Sequence, residues 1–339
     1  MSKKNSSVNL KSNFEKFTDL SNILFHFKRD LKNLKKKNFV VAVSGGPDSL
    51  ALVVLTKLYA LENNAKFYYI LINHNIRDNS ELEAKQVKNL LKTFGIDLKI
   101  INNKKKILKN IQGEARKIRY ENLVDFCKKK RVNTILTAHN LEDQVETFFI
   151  RLSRGSGLAG LSSMKTLSKL ESNIYLFRPL LDVKKKYLIK ISKKIFKKYF
   201  RDPSNLDQKY LRTRIRNLRI PLKKSGIEYD QIIKSIKNLA SSKITIDEYS
   251  ERLFEDLVKQ SKGEVLIDLK KFKKINTDLK IGTINKAIKK IKKNYYNPRS
   301  KKVVNLIKKI ESKQFKKTTL GGCLFIKKKD FLCLKIEKT

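Results

Sequence analysis

Six consecutive residues have the chemistry of a phosphate-binding loop: Ser44-Gly45-Gly46-Pro47-Asp48-Ser49. Two adjacent glycines let the backbone approach a ligand closely, and the two serines add hydroxyl donors. Pro47 and Asp48 favour the first turn of a helix, whose unpaired N–H groups and positive dipole end attract phosphate. The loop has neither the Gly-Lys-Ser/Thr of a Walker loop nor the three spaced glycines of the dinucleotide fingerprint. The sequence therefore predicts another kind of nucleotide phosphate site.

A second group of reactive side chains follows an apolar run at residues 134–138. His139 comes directly after this run, and Asp143 and Glu146 are spaced to share one face of a helix near its beginning. Two carboxylates facing bound phosphate could hold Mg²⁺ or orient an incoming amine. The alternative is that Asp143 only complements the helix dipole behind an Asn140 cap.

Basic residues form a third group of candidates. Arg116 and Arg119 lie on one side of a predicted helix start, where a guanidinium could meet phosphate. Surface salt bridging is the alternative function of these two side chains. His74 and Arg77 follow another apolar run and are further candidates for the same crevice.

Alternating strands and helices must position these groups. We predict strands at residues 39–43, 66–75, 98–101 and 134–138, each followed by a helical segment. This order specifies an α/β fold with a doubly wound parallel sheet and helices on both faces. Ser44, His74 and His139 each follow a predicted strand, and ligands of such sheets bind at the carboxyl ends of strands. We therefore expect the three to line one crevice.

The composition is strongly basic. Lys and Arg number 78 against 32 Asp and Glu, a formal charge of +46. Such an excess indicates a polyanionic partner or a lysine-biased proteome. No apolar run approaches the ~20 residues of a membrane span, and no signal-peptide core is present, so we expect a cytoplasmic protein without membrane contact. Cys127, Cys323 and Cys333 include no Cys-x-x-Cys pair that would indicate a zinc site.

The region after Pro221 has a different pattern. Amphipathic helices rich in lysine continue from Leu222, and two short apolar runs near the end predict a β-hairpin. We expect a catalytic domain at residues 1–221 and a mainly helical, RNA-binding region at residues 222–339 that ends in this hairpin. The alternative for any single lysine of this region is that it only lies on a solvated face of a helix.

Motifs in the first two thirds of the chain resemble, in order and spacing, those of the tRNA(Ile)-lysidine synthase family of PP-loop ATP pyrophosphatases. The matching segments are residues 44–49, 73–77 with Ser80 and Glu83, 114–120, 139–147, 151–161, 178–181, and 202–205 with Asp207, Tyr210, Arg212, Arg214 and Arg216. The sequence departs from the family at Asn75, where glycine is usual, and at Asn140, Leu141 and Thr213. None of these departures removes an ionisable group expected to be catalytic.

The resemblance implies a function and a site. It implies an adenine nucleotide alpha hydrolase-like fold and an ATP-dependent ligase that attaches free L-lysine to the wobble cytidine of the CAU-anticodon tRNA(Ile). ATP would bind at Ser44, Gly45, Gly46, Pro47, Asp48 and Ser49, with Mg²⁺ at Asp48 and Asp143. The catalytic set would be Asp48, Arg116, His139, Asp143 and Glu146. The expected tRNA contacts are Arg151, Arg154, Arg178, Arg212, Arg214 and Arg216.

Two other functions share parts of this pattern. A PP-loop tRNA thiolase has the same loop, but such enzymes typically use cysteines or an iron–sulfur cluster, which the absence of a Cys-x-x-Cys pair disfavours. A catalytically silent RNA-binding protein on the same fold would not need the intact Asp48, His139, Asp143 and Glu146.

Overall fold

The computed structural model describes residues 14, 18–103, 105, 107, 110–171, 173–200, 207–261, 263–292, 298, 300–312 and 314–337. Its internal contacts divide the chain into two compact units, residues 1–239 and 240–339. The change in sequence pattern instead predicts a boundary after residue 221. The assignment of catalysis and tRNA binding to the two sides of that boundary stays a prediction.

The first unit is built on a six-stranded sheet with the order β3-β2-β1-β4-β6-β5. Its strands are β1 (Asn38–Val43), β2 (Lys66–Asn73), β3 (Leu98–Asn102), β4 (Thr134–Leu136), β5 (Leu167–Glu171) and β6 (Ile174–Phe177). β5 pairs antiparallel with β6, and the other neighbours are parallel. The predicted doubly wound parallel sheet is confirmed. The β5–β6 hairpin at its edge was not predicted.

Helices cover both faces of this sheet. One face carries α1 (Thr18–Asn33), α2 (Pro47–Glu62), α3 (Ser80–Thr93) and α7 (Lys185–Phe196), and the other carries α4 (Ile111–Lys130). The chain also forms α5 (Leu141–Leu152), α6 (Leu158–Leu161), α8 (Leu211–Asn217), α9 (Arg219–Lys224) and α10 (Tyr229–Leu257), the last of which continues past residue 239 into the second unit. Successive side chains of a strand point to opposite faces, so Phe39 and Val41 of β1 enter one core with α2 and α7. Val40 enters the other core with Leu123 and Cys127 of α4.

The second unit has a five-stranded antiparallel sheet of order β7-β8-β11-β10-β9. Its strands are β7 (Val258–Ser261), β8 (Glu264–Asp268), β9 (Lys317–Leu320), β10 (Cys323–Lys328) and β11 (Phe331–Ile336). Three helices accompany them: α11 (Leu269–Lys274), α12 (Thr277–Ile291) and α13 (Ser300–Glu311). The predicted terminal hairpin is β10–β11. The sequence analysis missed β7, β8 and β9, which complete the sheet around it.

Within the described part of the chain, none of the helices combines the length and the apolar character needed to cross a membrane.

The turn from β1 to α2 depends on one glycine. Gly45 has a φ of +80°, and a Cβ placed on it would lie 2.6 Å from Cγ2 of the buried Val87. The Gly45 carbonyl accepts a hydrogen bond from the Phe200 N–H at 3.0 Å. A side chain at this position would therefore strain the backbone and displace a packed core residue.

We expect Gly45→Ala to lower the free energy of unfolding by about 2–4 kcal/mol, because it adds a left-handed alanine and an overpacked contact. Gly157→Ala is the matched control. Gly157 has a φ of −77°, and its added Cβ would meet no described atom within 4 Å. Urea denaturation should show a change within about 0.5 kcal/mol for this control. Equal midpoints for the two variants would contradict the packing argument.

Candidate active site

The phosphate loop lies between the last residue of β1 and the first turn of α2. Ser49 Oγ donates to the Gly46 carbonyl at 2.9 Å, and the Ser44 N–H and hydroxyl both lie 3.2 Å from Ser49 Oγ. Among the described residues, no side chain caps the start of α2. The sequence thus builds a short, tight turn whose helix N–H groups are available to an anion.

Asp48 is a largely buried carboxylate in the first turn of α2. Burial raises its pKa to about 6, and the charges of Asp143 and Glu142 act in the same direction, opposed by Lys185. Asp48 Oδ2 lies 3.5 Å from Lys185 Nζ. Asp48 Oδ1 is buried and has no hydrogen-bond partner among the described residues. A buried carboxylate oxygen beside two other acids suits a hard divalent cation such as Mg²⁺.

The predicted metal pair, Asp48 and Asp143, therefore fits a cation by its chemistry. Among the residues described, however, no group of three or more His, Cys, Asp or Glu could hold a metal ion. Mg²⁺ is usually bound through one or two carboxylates together with substrate phosphates and water. The protein's own donors match the first part of that set.

The start of α5 is fixed by a capping box. Asn140 Oδ1 accepts from the Asp143 N–H at 3.0 Å, and Asp143 Oδ2 accepts from the Asn140 N–H at 3.1 Å. The Asn140 cap expected from the sequence is thus present, and one oxygen of Asp143 serves it. The other oxygen, Oδ1, accepts from Arg212 Nη2 at 3.2 Å. Asp143 therefore both caps α5 and binds Arg212 in the site.

Two arginines of α8 bind the carboxylates of α5. Arg212 Nε donates to Glu146 Oε2 at 2.6 Å, and Arg216 binds both Glu146 oxygens at 2.8 and 3.2 Å. Arg214 points elsewhere and donates to the Gln208 and Lys209 carbonyls. Helical spacing puts Arg212 and Arg216 together, facing the carboxylates of α5, and puts Arg214 apart from them. Whether any of them contacts tRNA stays a prediction.

His139 lies at the exit of β4 among cationic groups. Its Nδ1 is 2.8 Å from the Thr137 hydroxyl. Burial first, and then the charges of nearby guanidiniums, together lower the pKa of His139 to about 3; these guanidiniums belong to Arg178, Arg116, Arg212 and Arg119. The imidazole is therefore neutral at physiological pH. It can exchange hydrogen bonds with a substrate but brings no charge to the site.

His74 has a similar setting at the exit of β2. Burial and the Arg119 charge lower its pKa to about 4. Both ring nitrogens are buried, and neither has a hydrogen-bond partner among the described residues. The next residue, Asn75, has a φ of +51° and donates from its side chain to the Asn103 carbonyl at 3.0 Å. Asparagine tolerates this conformation better than most residues, which explains how it stands where the family usually has glycine.

The other predicted basic residues are divided between the crevice wall and the surface. Arg178 is buried and donates from Nη1 to the Lys165 carbonyl and the Ser168 hydroxyl. Arg151 Nη1 donates to the Gly160 carbonyl at 2.6 Å and so links the end of α5 to α6. Arg77 pairs with Glu83 at 3.0 Å. Arg116 is exposed and lies 4.9 Å from the Tyr120 ring, and Arg154 is exposed. The predicted 202–205 motif lies outside the described residues.

Three residues that the sequence analysis did not select belong to this neighbourhood. Glu142 is buried and accepts from the Lys185 N–H at 2.8 Å. Gln144 Oε1 accepts from the Met164 N–H at 3.0 Å, and Gln144 Nε2 donates to the Met164 carbonyl at 3.1 Å. Lys185 pairs with Asp48, as described above. Their partners are distant in sequence, so no local pattern could have identified them.

The chain is similar in sequence to known PP-loop proteins. The PP-loop domain family matches residues 20–222. The tRNA(Ile)-lysidine synthase of Wolbachia pipientis wMel is 35% identical over 288 residues, which cover 84% of this chain and 67% of the relative. That of Rickettsia bellii (strain OSU 85-389) is 30% identical over 305 residues, covering 88% of this chain and 70% of the relative.

A solved structure supports the fold alone. The U34-tRNA thiolase of Methanococcus maripaludis, solved with its [4Fe-4S] cluster, has a TM-score of 0.53 and 18% identity, covering 65% of this chain and 79% of that one. The PP-loop domain match, residues 20–222, contains the phosphate loop, the carboxylates of α5 and the arginines of α8. The chain belongs to the tRNA(Ile)-lysidine synthase family of PP-loop proteins.

Proposed function

We propose that this protein uses ATP to attach free L-lysine to the wobble cytidine of the CAU-anticodon tRNA(Ile), producing lysidine, AMP and pyrophosphate. The modified anticodon would read AUA instead of AUG, and the tRNA would change its amino-acid identity from methionine to isoleucine. Family membership supports this activity, since the relatives are named for it. The chemistry of the crevice supports it independently.

The reaction needs an activated leaving group, because the carbonyl oxygen of cytosine leaves poorly. That oxygen attacks the α-phosphorus of ATP, the bond to the β-phosphate breaks, and pyrophosphate leaves. The neutral ε-amine of lysine then attacks the ring carbon, AMP departs with the former carbonyl oxygen, and the nitrogen loses a proton. We assign Ser44 to Ser49 to the pyrophosphate portion of ATP. Mg²⁺, bound at Asp48 and Asp143, would neutralise charge on the phosphates.

The observation that carries the proposal is the cation-binding pair of carboxylates next to the loop. Asp143 and Glu146 already hold two guanidiniums at 2.6–3.2 Å. The Asp143 charge also acts on Asp48 of the phosphate loop, which supports assigning Asp143 to the nucleotide site. An ammonium group has the same charge as those guanidiniums, so Asp143 and Glu146 suit the lysine side chain. We assign hydrogen bonding with the substrates to the neutral His139 and phosphate contact to Arg116.

Binding of tRNA is assigned to basic surface. Exposed Arg154 and Arg214, together with the lysine-rich region 222–339, would contact the phosphate backbone. The net charge of +46 supports this assignment.

The cysteines give a thiolase no support. Cys127, Cys323 and Cys333 are all buried, and burial raises the pKa of the Cys127 thiol to about 12. Such thiols are poor nucleophiles, because the thiolate is the reactive form.

The direct test incubates the protein with ATP, labelled lysine and total tRNA, and then identifies the tRNA that carries label. We expect label on the CAU-anticodon isoleucine tRNA alone, with pyrophosphate released only when all three substrates are present. Sulfur incorporation would favour the thiolase. Flat pyrophosphate release under every combination of substrates would favour a silent RNA-binding protein.

Exchange of Asp143 for asparagine should reduce turnover by about 100-fold or more, because the site loses a carboxylate for the amine while the capping-box acceptor is kept. Lysidine formation and the melting temperature should be measured together, with Asp125→Asn as a control. Asp125 is exposed on α4 and is not assigned to the site. Full activity of the Asp143→Asn variant would refute the assignment of this residue.

Affinity for tRNA should fall steeply with salt, because lysines and arginines that bind phosphates release counterions. We expect the association constant for tRNA to fall by at least about tenfold between 50 and 200 mM salt. Arg154→Gln should weaken binding uniformly and reduce the slope of log K against log [salt] by about one. Filter binding across a salt series measures both. A flat salt response would show that the positive charge is not used in binding.

A further inference from the structure

Three consecutive lysines, Lys184-Lys185-Lys186, precede and begin α7, and the structure gives each a different environment. Lys184 pairs with Asp230 at 2.7 Å. Lys186 is exposed and lies 5.0 Å from the ring of Tyr187. Lys185 alone is paired with a phosphate-loop residue: its Nζ lies 3.5 Å from Asp48 Oδ2, and its side chain is one-third exposed. The middle lysine is therefore distinct in position although all three are alike in sequence.

The start of α7 is held against the start of α5. Lys184, the residue before the helix, provides no side-chain cap among the described residues. Glu142 provides the cap instead, because its Oε2 accepts from the Lys185 N–H at 2.8 Å. A second bond joins the two helix starts: the Leu141 N–H donates to the Val183 carbonyl at 3.1 Å. A buried carboxylate thus caps a helix from another element and fixes the backbone that carries Lys185.

The same helix is also fixed to the phosphate loop. The buried Ser192 hydroxyl of α7 donates to the Pro47 carbonyl. Anchors at the Lys185 N–H and the Ser192 hydroxyl hold the helix along the loop, and from it the Lys185 amine reaches Asp48.

We propose that Lys185 is a phosphate ligand for ATP, held beside the loop by Asp48 until the nucleotide binds, and that Glu142 is the residue that positions it. This inference rests on the proposed use of ATP. The contact of 3.5 Å with Asp48 is longer than the 2.7 Å pair made by Lys184, and one-third of the Lys185 side chain is open to solvent. A polyphosphate carries several negative charges and competes well for such an amine. A cation bound by Asp48 would release Lys185 toward the phosphates.

Lys185→Met and Lys185→Gln both remove the charge. The methionine side chain ends in an apolar group, and the glutamine side chain ends in a polar one. We expect either variant to raise the KM for ATP and the Kd for Mg–ATP by about tenfold, as for loss of a charge-assisted hydrogen bond. The Kd for tRNA should change less than about twofold. Lys185→Arg should recover most ATP affinity, because the cation is kept. Lys186→Met is the matched control, which should behave as the unaltered chain.

The measurements are pyrophosphate release at saturating lysine and tRNA, and calorimetry of Mg–ATP and of tRNA with the full chain. Unchanged ATP affinity in both Lys185→Met and Lys185→Gln would overturn the proposal. So would a loss confined to tRNA binding, which would make the ligand a backbone phosphate. Failure of the unaltered chain to bind ATP would instead refute the proposed function itself. Glu142→Ala should weaken ATP binding in the same direction, with tRNA affinity retained.

Discussion

The site depends on the pairing of the carboxylates at the start of α5 with a backbone N–H and two guanidiniums from two later segments. Glu142 binds the first N–H of α7, Asp143 binds Arg212, and Glu146 binds Arg212 and Arg216. Three acids within five residues would repel one another if left unpaired in a partly buried crevice. Their partners remove that repulsion and at the same time dock α7 and α8 beside the phosphate loop. The same hydrogen bonds therefore set the charge of the crevice and hold its walls together.

The arrangement separates two kinds of charge in a protein that is basic overall. The formal charge is +46, yet acidic side chains are concentrated where α5 begins. A basic exterior attracts a polyanion such as RNA, whereas an acidic patch inside the crevice attracts a cation. His139 and His74, at the ends of β4 and β2, have lowered pKa values and so add no charge to the crevice. A reaction that brings an ammonium group to a nucleic acid needs both kinds of surface within one site.

Local chemistry explains what the sequence could predict. The strand, glycine turn and helix of the phosphate loop follow from neighbouring residues, as does the Asn140 cap. Tertiary contacts explain what it could not. The position of Lys185 depends on Glu142, 43 residues earlier. The strands β7 to β9 are four or five residues long, so their apolar pattern is too short to separate from helix.

Buried polar atoms without hydrogen-bond partners indicate that the crevice is a binding site, and this observation does not depend on sequence motifs. Among the described residues, buried side-chain atoms without a hydrogen-bond partner include Asp48 Oδ1, both ring nitrogens of His74, Asn140 Nδ2 and Arg178 Nε. Each of these residues follows a different parallel strand: β1, β2, β4 and β6. An unpaired buried polar group costs about 1–3 kcal/mol, so a concentration at one end of a sheet is unfavourable unless something else provides partners. Phosphate, a divalent cation and a nucleobase together offer the complementary donors and acceptors. The strand ends are thus shaped for polar ligands, which is where open parallel sheets bind them.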